Sequence, residues 1–294
     1  MRVRILGTAA GGGVPQWNCA CGGCAAARDD PARRRRHASL AVQGGAGWWV
    51  VNATPDVTEQ IEATADLRPY AGTRRSPVAG VILTDAELDH TLGLPRLREA
   101  ASLRVAATRT VRGALSAGLR LDAVLAPYTD LTWTELDDGQ VRLDGGLEVQ
   151  AVPVSAKRPR YAADLDVPGD SWVVALRVTS GGRSLLYAPC LAAWPAELDA
   201  AVRDADCAVL DGTFWDDDEP RRTGISRRTA TEMGHLPING PGGTAGRVAA
   251  LSGPHVLYTH LNNTNPLADR DGDEHQALAA MGLGVAAERT AIEL

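Results

Sequence analysis

Residues 78–83, Val78-Ala79-Gly80-Val81-Ile82-Leu83, are a continuous apolar run, followed at once by Thr84-Asp85-Ala86-Glu87-Leu88-Asp89-His90. An apolar run without alternation fits a strand covered on both faces, which in a soluble chain means a sheet with layers packed on either side. The same pattern of strand and interspersed helix recurs through both halves. Strands are expected near residues 39–43 and 48–52, joined by Gly44-Gly45, and near 147–154, 172–179 and 185–188, with Gly181-Gly182 turning a hairpin. Residues 207–211 read as a buried strand and 256–259 as a short one. Helices are expected from Asp56, as N-cap, to Ala65, and over 92–101 and 195–205. Strands clustered in both halves suggest two helix-covered sheets in one α/β domain spanning 1–294, with no long linker and no fixed-period repeat.

Composition narrows the class. The chain has 294 residues, 45% of them hydrophobic, and a net charge of −6, which argues against nucleic acid as a partner. Arg33 to Arg36 are a local basic run, either a solvated loop or a contact for an acidic ligand. No apolar stretch approaches the ~20 residues of a membrane span. The N-terminus alternates like a strand instead of showing the blocks of a signal peptide. Five cysteines, three of them clustered, fit metal binding in a reducing compartment, so a cytoplasmic protein is expected.

Three segments carry chemistry. Cys19-Ala20-Cys21-Gly22-Gly23-Cys24 places three thiolates within six residues, with glycines that allow a sharp turn. Structural zinc is the default occupant of such a site. Its fourth ligand is open among His37, Asn263 and His275. The turn 84–90 supplies Asp89 and His90 at a strand end, where α/β folds place their sites. His260 directly follows the strand 256–259, and with Asp89 and His90 would complete a two-histidine, one-carboxylate set suited to non-haem iron or zinc. His235 stands in a Gly/Pro-rich stretch, 234–246, read as a loop or lid, where an imidazole could contact substrate or give a proton. Asp211, at the end of its strand, is placed to hydrogen-bond a ligating histidine. The Gly11-Gly12-Gly13 triplet lacks the following Lys of a phosphate-binding loop.

Residues 7–19 (Gly7-Thr8-Ala9-Ala10-Gly11-Gly12-Gly13-Val14-Pro15-Gln16-Trp17-Asn18-Cys19), 83–93, 210–215, 234–243 and 260–266, in this order, resemble the PQQ (pyrroloquinoline quinone) biosynthesis protein B family of the metallo-β-lactamase superfamily. The resemblance implies the four-layer αββα sandwich of that superfamily. Its signature, His-x-His-x-Asp-His, is altered here. Asp85 and Glu87 occupy the first two histidine positions, Ser155 falls at the third, and Cys190 stands where relatives place a bridging aspartate. One metal site is therefore expected to be lost, and the other, Asp89, His90 and His260, kept. The family makes PQQ from a cross-linked Glu-Tyr derived from a peptide. A single Fe(II) with open positions implies an O₂-using hydroxylase, with Asp85, Glu87, Asp211 and His235 handling substrate or protons. Zinc-dependent hydrolysis and a carrier or transport role for PQQ or its precursor are the alternatives. A homodimer is left open, and residues 287–290 lack the family's Asp-Gly type of ending.

Overall fold

In the computed structural model, which describes residues 1–137 and 139–294, the strands are β1 (Arg2–Gly7), β2 (Ser39–Gly44), β3 (Gly47–Val51), β4 (Val78–Ile82), β5 (Ser102–Ala107), β6 (Asp130–Glu135), β7 (Gln140–Leu143), β8 (Leu147–Ser155), β9 (Val173–Ser180), β10 (Arg183–Ala188), β11 (Cys207–Asp211), β12 (His255–Thr259), β13 (Gly284–Val285) and β14 (Ala291–Glu293). They form two sheets, ordered β14-β1-β2-β3-β4-β5-β6 and β13-β12-β11-β10-β9-β8-β7. In each sheet one half is antiparallel and the other parallel: β3 through β6 run parallel in the first, β10 through β13 in the second. Parallel neighbours need crossovers, and helices supply them, among them Val57–Ala63, Arg109–Gly118, Ala196–Arg203, Thr244–Ala249 and Asp273–Ala280.

Alternation along each strand divides the core into layers. Ile82 and Ala106 meet Leu176, Tyr187 and Val209 between the sheets. Their chain neighbours Val81 and Val105 share a cluster with Val111 and Leu115 of the helix Arg109–Gly118. This is the expected sandwich of two sheets between helical layers, and the run 78–83 is apolar because both of its faces are covered.

Several local expectations are corrected. The helix foreseen over 92–101 is instead a short helix Leu88–Thr91 and a 3-10 turn Leu94–Leu97. Pro95 and the close approach of Gly93 to the Thr54 carbonyl, where a Cβ would lie 2.0 Å away, break the longer helix. Asp56 precedes the helix Val57–Ala63 without capping it, since its side chain bonds His37 instead. Residues 234–246 are not a free cover. Leu236, Ile238 and Asn239 donate backbone hydrogen bonds to Leu191, Phe214 and Trp215, and Ile238 is fully buried. Of the basic run, Arg33 and Arg34 are exposed as a solvated loop would have them, but Arg35 is buried, and its backbone exchanges hydrogen bonds with Val14 in both directions.

Candidate metal centre

The C-terminal ends of β4, β10, β11 and β12 converge at one edge of the sandwich. After β4, Asn52 accepts from the Thr84 amide at 3.0 Å and fixes the turn that follows. The helix Leu88–Thr91 then turns Asp89 and His90 inward. β12 ends at Thr259, and His260 adopts a left-handed conformation (φ 61°). Such a φ is uncommon outside glycine. The Leu261 amide, donating to Thr8, and the Leu261 carbonyl, accepting from Ala10, hold it there.

The two histidines are aimed by the same device. His90 Nδ1 bonds Asp85 Oδ2 at 2.7 Å, and both side chains are buried. His260 Nδ1 bonds Thr213 Oγ1 at 2.8 Å, and that hydroxyl donates to Asp211 Oδ1 at 2.6 Å. A carboxylate at the end of each chain of bonds places the proton on Nδ1 and leaves the Nε2 lone pair free. His90 Nε2 is buried and has no hydrogen-bond partner among the described residues. It lies 3.7 Å from Asp89 Oδ2, which is 3.4 Å from His260 Nε2, and Cys190 Sγ lies 3.9 Å from the same nitrogen. Bonds of about 2.0–2.3 Å to one ion put its donors roughly 3–4 Å apart, so this set fits a metal, with an unsatisfied nitrogen pointing to it.

Charge supports the same picture. Burial works against the Asp89 carboxylate, but His90 and His260 hold its pKa well below the ordinary range. Burial likewise opposes charge on His90, yet Asp85 and Asp89 raise its pKa to about 9. On His260 burial prevails and lowers it. The carboxylates that favour a positive charge on His90 would equally favour a divalent cation at its Nε2.

The remaining predicted residues divide. Asp85 is buried and its carboxylate bonds His90 Nδ1. Asp211 reaches His260 only through Thr213; its direct partner is His235, whose Nδ1 lies 2.8 Å from Oδ2. His235 is thereby held, not exposed, and its ring stacks on His260 at 5.8 Å. Glu87 is half-buried without a side-chain hydrogen bond among the described residues; burial, then the neighbouring Asp85, raises its pKa. Thr213, the relay itself, was not picked out in the sequence. Threonine after Asp-Gly carries no signal of its own, and only the fold places it beside a histidine 47 positions away.

Cys19, Cys21 and Cys24 bring their sulfurs within 4.8 Å of one another. Asn263 faces them: its Nδ2 lies 3.2 Å from Cys19 Sγ and 3.4 Å from Cys21 Sγ. Hydrogen bonds from the Cys24 backbone and Asn263 lower the Cys21 pKa against the effect of burial. The other two candidate ligands are elsewhere. His37 is held between Asp56 and the Gly11 carbonyl, and His275 lies on the helix Asp273–Ala280 outside the group.

Fold and site together define a metallo-β-lactamase-type protein with a candidate metal centre at the edge where its sheets meet. The beta-lactamase superfamily domain matches residues 47–261. Coenzyme PQQ synthesis protein B from Azoarcus sp. (strain BH72) is 40% identical over 97% of each chain, and that from Pseudomonas syringae pv. syringae (strain B728a) is 38% identical over the full length of both. Zn(2+)-bound PqqB from Methylobacterium extorquens superposes over the whole of both chains with a TM-score of 0.91 and 34% identity. A diphosphatase of the PhnP family shares the fold (TM-score 0.69, 19% identity). The chain belongs to the coenzyme PQQ synthesis protein B family. Among the described residues, no helix is long and apolar enough to cross a membrane.

Proposed function

We propose that this chain acts in the cytoplasmic biosynthesis of PQQ as an iron-dependent hydroxylase. Its substrate would be a tyrosine ring in a cross-linked Glu-Tyr derived from a peptide, and it would act alone or as a homodimer. The observation that carries the reading is the asymmetry of the site. The first-site histidine positions hold Asp85 and Glu87, while Asp89, His90 and His260 remain convergent around an unsatisfied buried nitrogen. Fe(II) held by these three would supply dioxygen binding and activation at its open positions. The chain's own part is to orient. Asp85 and the Thr213–Asp211 pair fix the two imidazoles, and His235, tied at Nδ1, offers Nε2 to a proton of bound substrate. Glu87, half-buried beside Asp85, would meet substrate in this reading. Cys19, Cys21 and Cys24 hold structural zinc in this reading.

Cys190 favours a second reading. A thiol 3.9 Å from His260 Nε2 adds a soft donor, and the set His90, Cys190 and His260 suits zinc, as a hydrolase would use. Anaerobic reconstitution with Fe(II), followed by O₂, a reductant and a Glu-Tyr substrate, separates the two. The hydroxylase gives a product heavier by one oxygen atom. Equal turnover with zinc in the absence of O₂ would restore the hydrolase. Binding without turnover under either condition would leave a carrier.

A further inference from the structure

A cavity of about 860 Å³ lies beside the metal centre without including it: Gly12, Gly13 and His37 are in its wall, whereas Asp89, His90 and His260 are not. The two are neighbours through Gly11, where an added Cβ would come 3.3 Å from Asp89 Oδ2. The basic run from the sequence lines this cavity, joined by Arg270 and Arg289.

The charges in the wall do not cancel. Arg33 is paired with Asp30 and Asp269, Arg36 with Glu288, and His37 with Asp56. Asp271 is the one lining carboxylate outside these ion pairs. Arg34, Arg35, Arg270 and Arg289 have no ion pair among the described residues. Arg35 is the most telling. It is 8% exposed, and its side chain makes one hydrogen bond, from Nη1 to Thr8 Oγ1 at 3.1 Å. Burial and the like charge of Arg270 outweigh the pull of Glu288 and lower its pKa to about 10. A buried guanidinium next to a second guanidinium, with Glu288 near but committed to an ion pair with Arg36, is costly unless a further anion joins them.

We propose that this cavity binds a small molecule carrying two or more carboxylate groups, gripped by Arg35 and Arg270. Guanidinium forks match carboxylates two bonds at a time. The unpaired arginines come from three separate stretches of chain, which suits several anionic groups better than one. The volume is in the range of small-molecule sites, roughly 300–1,000 Å³. The site is independent of which metal, if any, the neighbouring centre holds.

The test uses the full chain and benzene-1,3,5-tricarboxylate, a weak chelator, titrated by calorimetry at neutral pH and constant ionic strength. Benzoate and inorganic phosphate serve as comparators. Saturable tricarboxylate binding is expected, at least about tenfold tighter than either comparator. Arg270→Gln, on the surface, should weaken it by about tenfold or more, the worth of a lost charge-assisted contact, with metal content unchanged. Arg35→Met should abolish binding; if that variant does not fold, Arg289→Gln takes its place, with a loss of the same kind expected. No saturable binding, phosphate binding as tightly as the tricarboxylate, or Arg270→Gln and Arg289→Gln binding like the native chain would each overturn the proposal.

Discussion

Each histidine of the centre is oriented by a neighbour outside the candidate ligand set. Thr213 accepts the His260 Nδ1 proton and passes the constraint to Asp211, which also receives the Leu191 amide at 2.7 Å. Thr213→Val keeps the shape of the side chain and removes the bonds of the hydroxyl to His260, Asp211 and His235, so the His260 imidazole loses its fixed tautomer. Metal affinity should fall by roughly 10–100-fold with the fold retained, which a competitive chelator titration would measure. An unchanged affinity would mean that packing alone orients His260. At this scale the sequence was legible where a residue type is itself a ligand. Asp89, His90, His260 and the three cysteines could be picked out by chemistry and spacing, and the fold brings each group together. The orienting residues were less legible, because an aspartate or threonine becomes an orienter only through contacts distant in the chain. Asp85 illustrates this: its place in the signature suggested substrate or proton handling, and only the fold shows its carboxylate bonded to His90 Nδ1.

Loops and short elements carry the outer wall of the site, and here two predictions belong. Cys19 and Cys21 precede the helix Gly22–Asp29 and Cys24 lies in its first turn, so an ion bound by the three sulfurs would pin the start of that helix to the segment before it. Cys21→Ser should lower zinc content and the melting temperature together, because structural metal binding is coupled to folding. Elemental analysis finding full zinc in the folded variant would count against this. The second concerns Asp56, which ties the extended segment at His37 to the start of the helix Val57–Ala63. Burial depresses the His37 pKa, but Asp56 outweighs it and the net shift is upward; the Asp56 pKa is lowered by the same pair. The stabilisation from His37 is therefore complete below about pH 6.5 and fades as pH rises through the folded value. That from Asp56 is complete above about pH 3.9 and is lost on acidification. Asp56→Asn should be destabilised most between roughly pH 4 and 6.5, by about 1 kcal/mol, and less above neutrality. Denaturant titrations giving a difference that grows with pH would contradict it. Among the strands, β5 and β6 were hidden in the sequence. Arg104 interrupts the apolar pattern of β5, and the fold uses it to cover Trp49, with its guanidinium 5.0 Å from the ring, above the space that Gly80 leaves.

Across the whole molecule, the two sheets were legible from their apolar runs, but their order was not. The first sheet is completed by the far end of the chain, Arg2 pairing with Glu293, and no local pattern announces such a partner. The same long-range closure places the metal ligands. Asp89 and His90 follow β4 of the first sheet, while Cys190 and His260 follow β10 and β12 of the second. An ion bound by this set ties the two sheets together at the edge where Ala9 also bridges to both His37 and Leu261. A ligand present at about a thousand times its dissociation constant stabilises the folded state by about 4 kcal/mol. At roughly 2–4 °C per kcal/mol for a chain of several hundred residues, saturating the centre should raise the melting temperature by roughly 10 °C. Chelation would also strip a zinc held by the cysteines, so the informative quantity is a difference between two proteins. The native chain should regain more stability on re-addition of zinc or Fe(II) than His260→Ala, which keeps the cysteines but lacks one donor of the centre. Calorimetric scans of both, before and after metal, would show it. Equal gains would place all of the metal-dependent stability at the cysteines and leave the two sheets held by their apolar core alone.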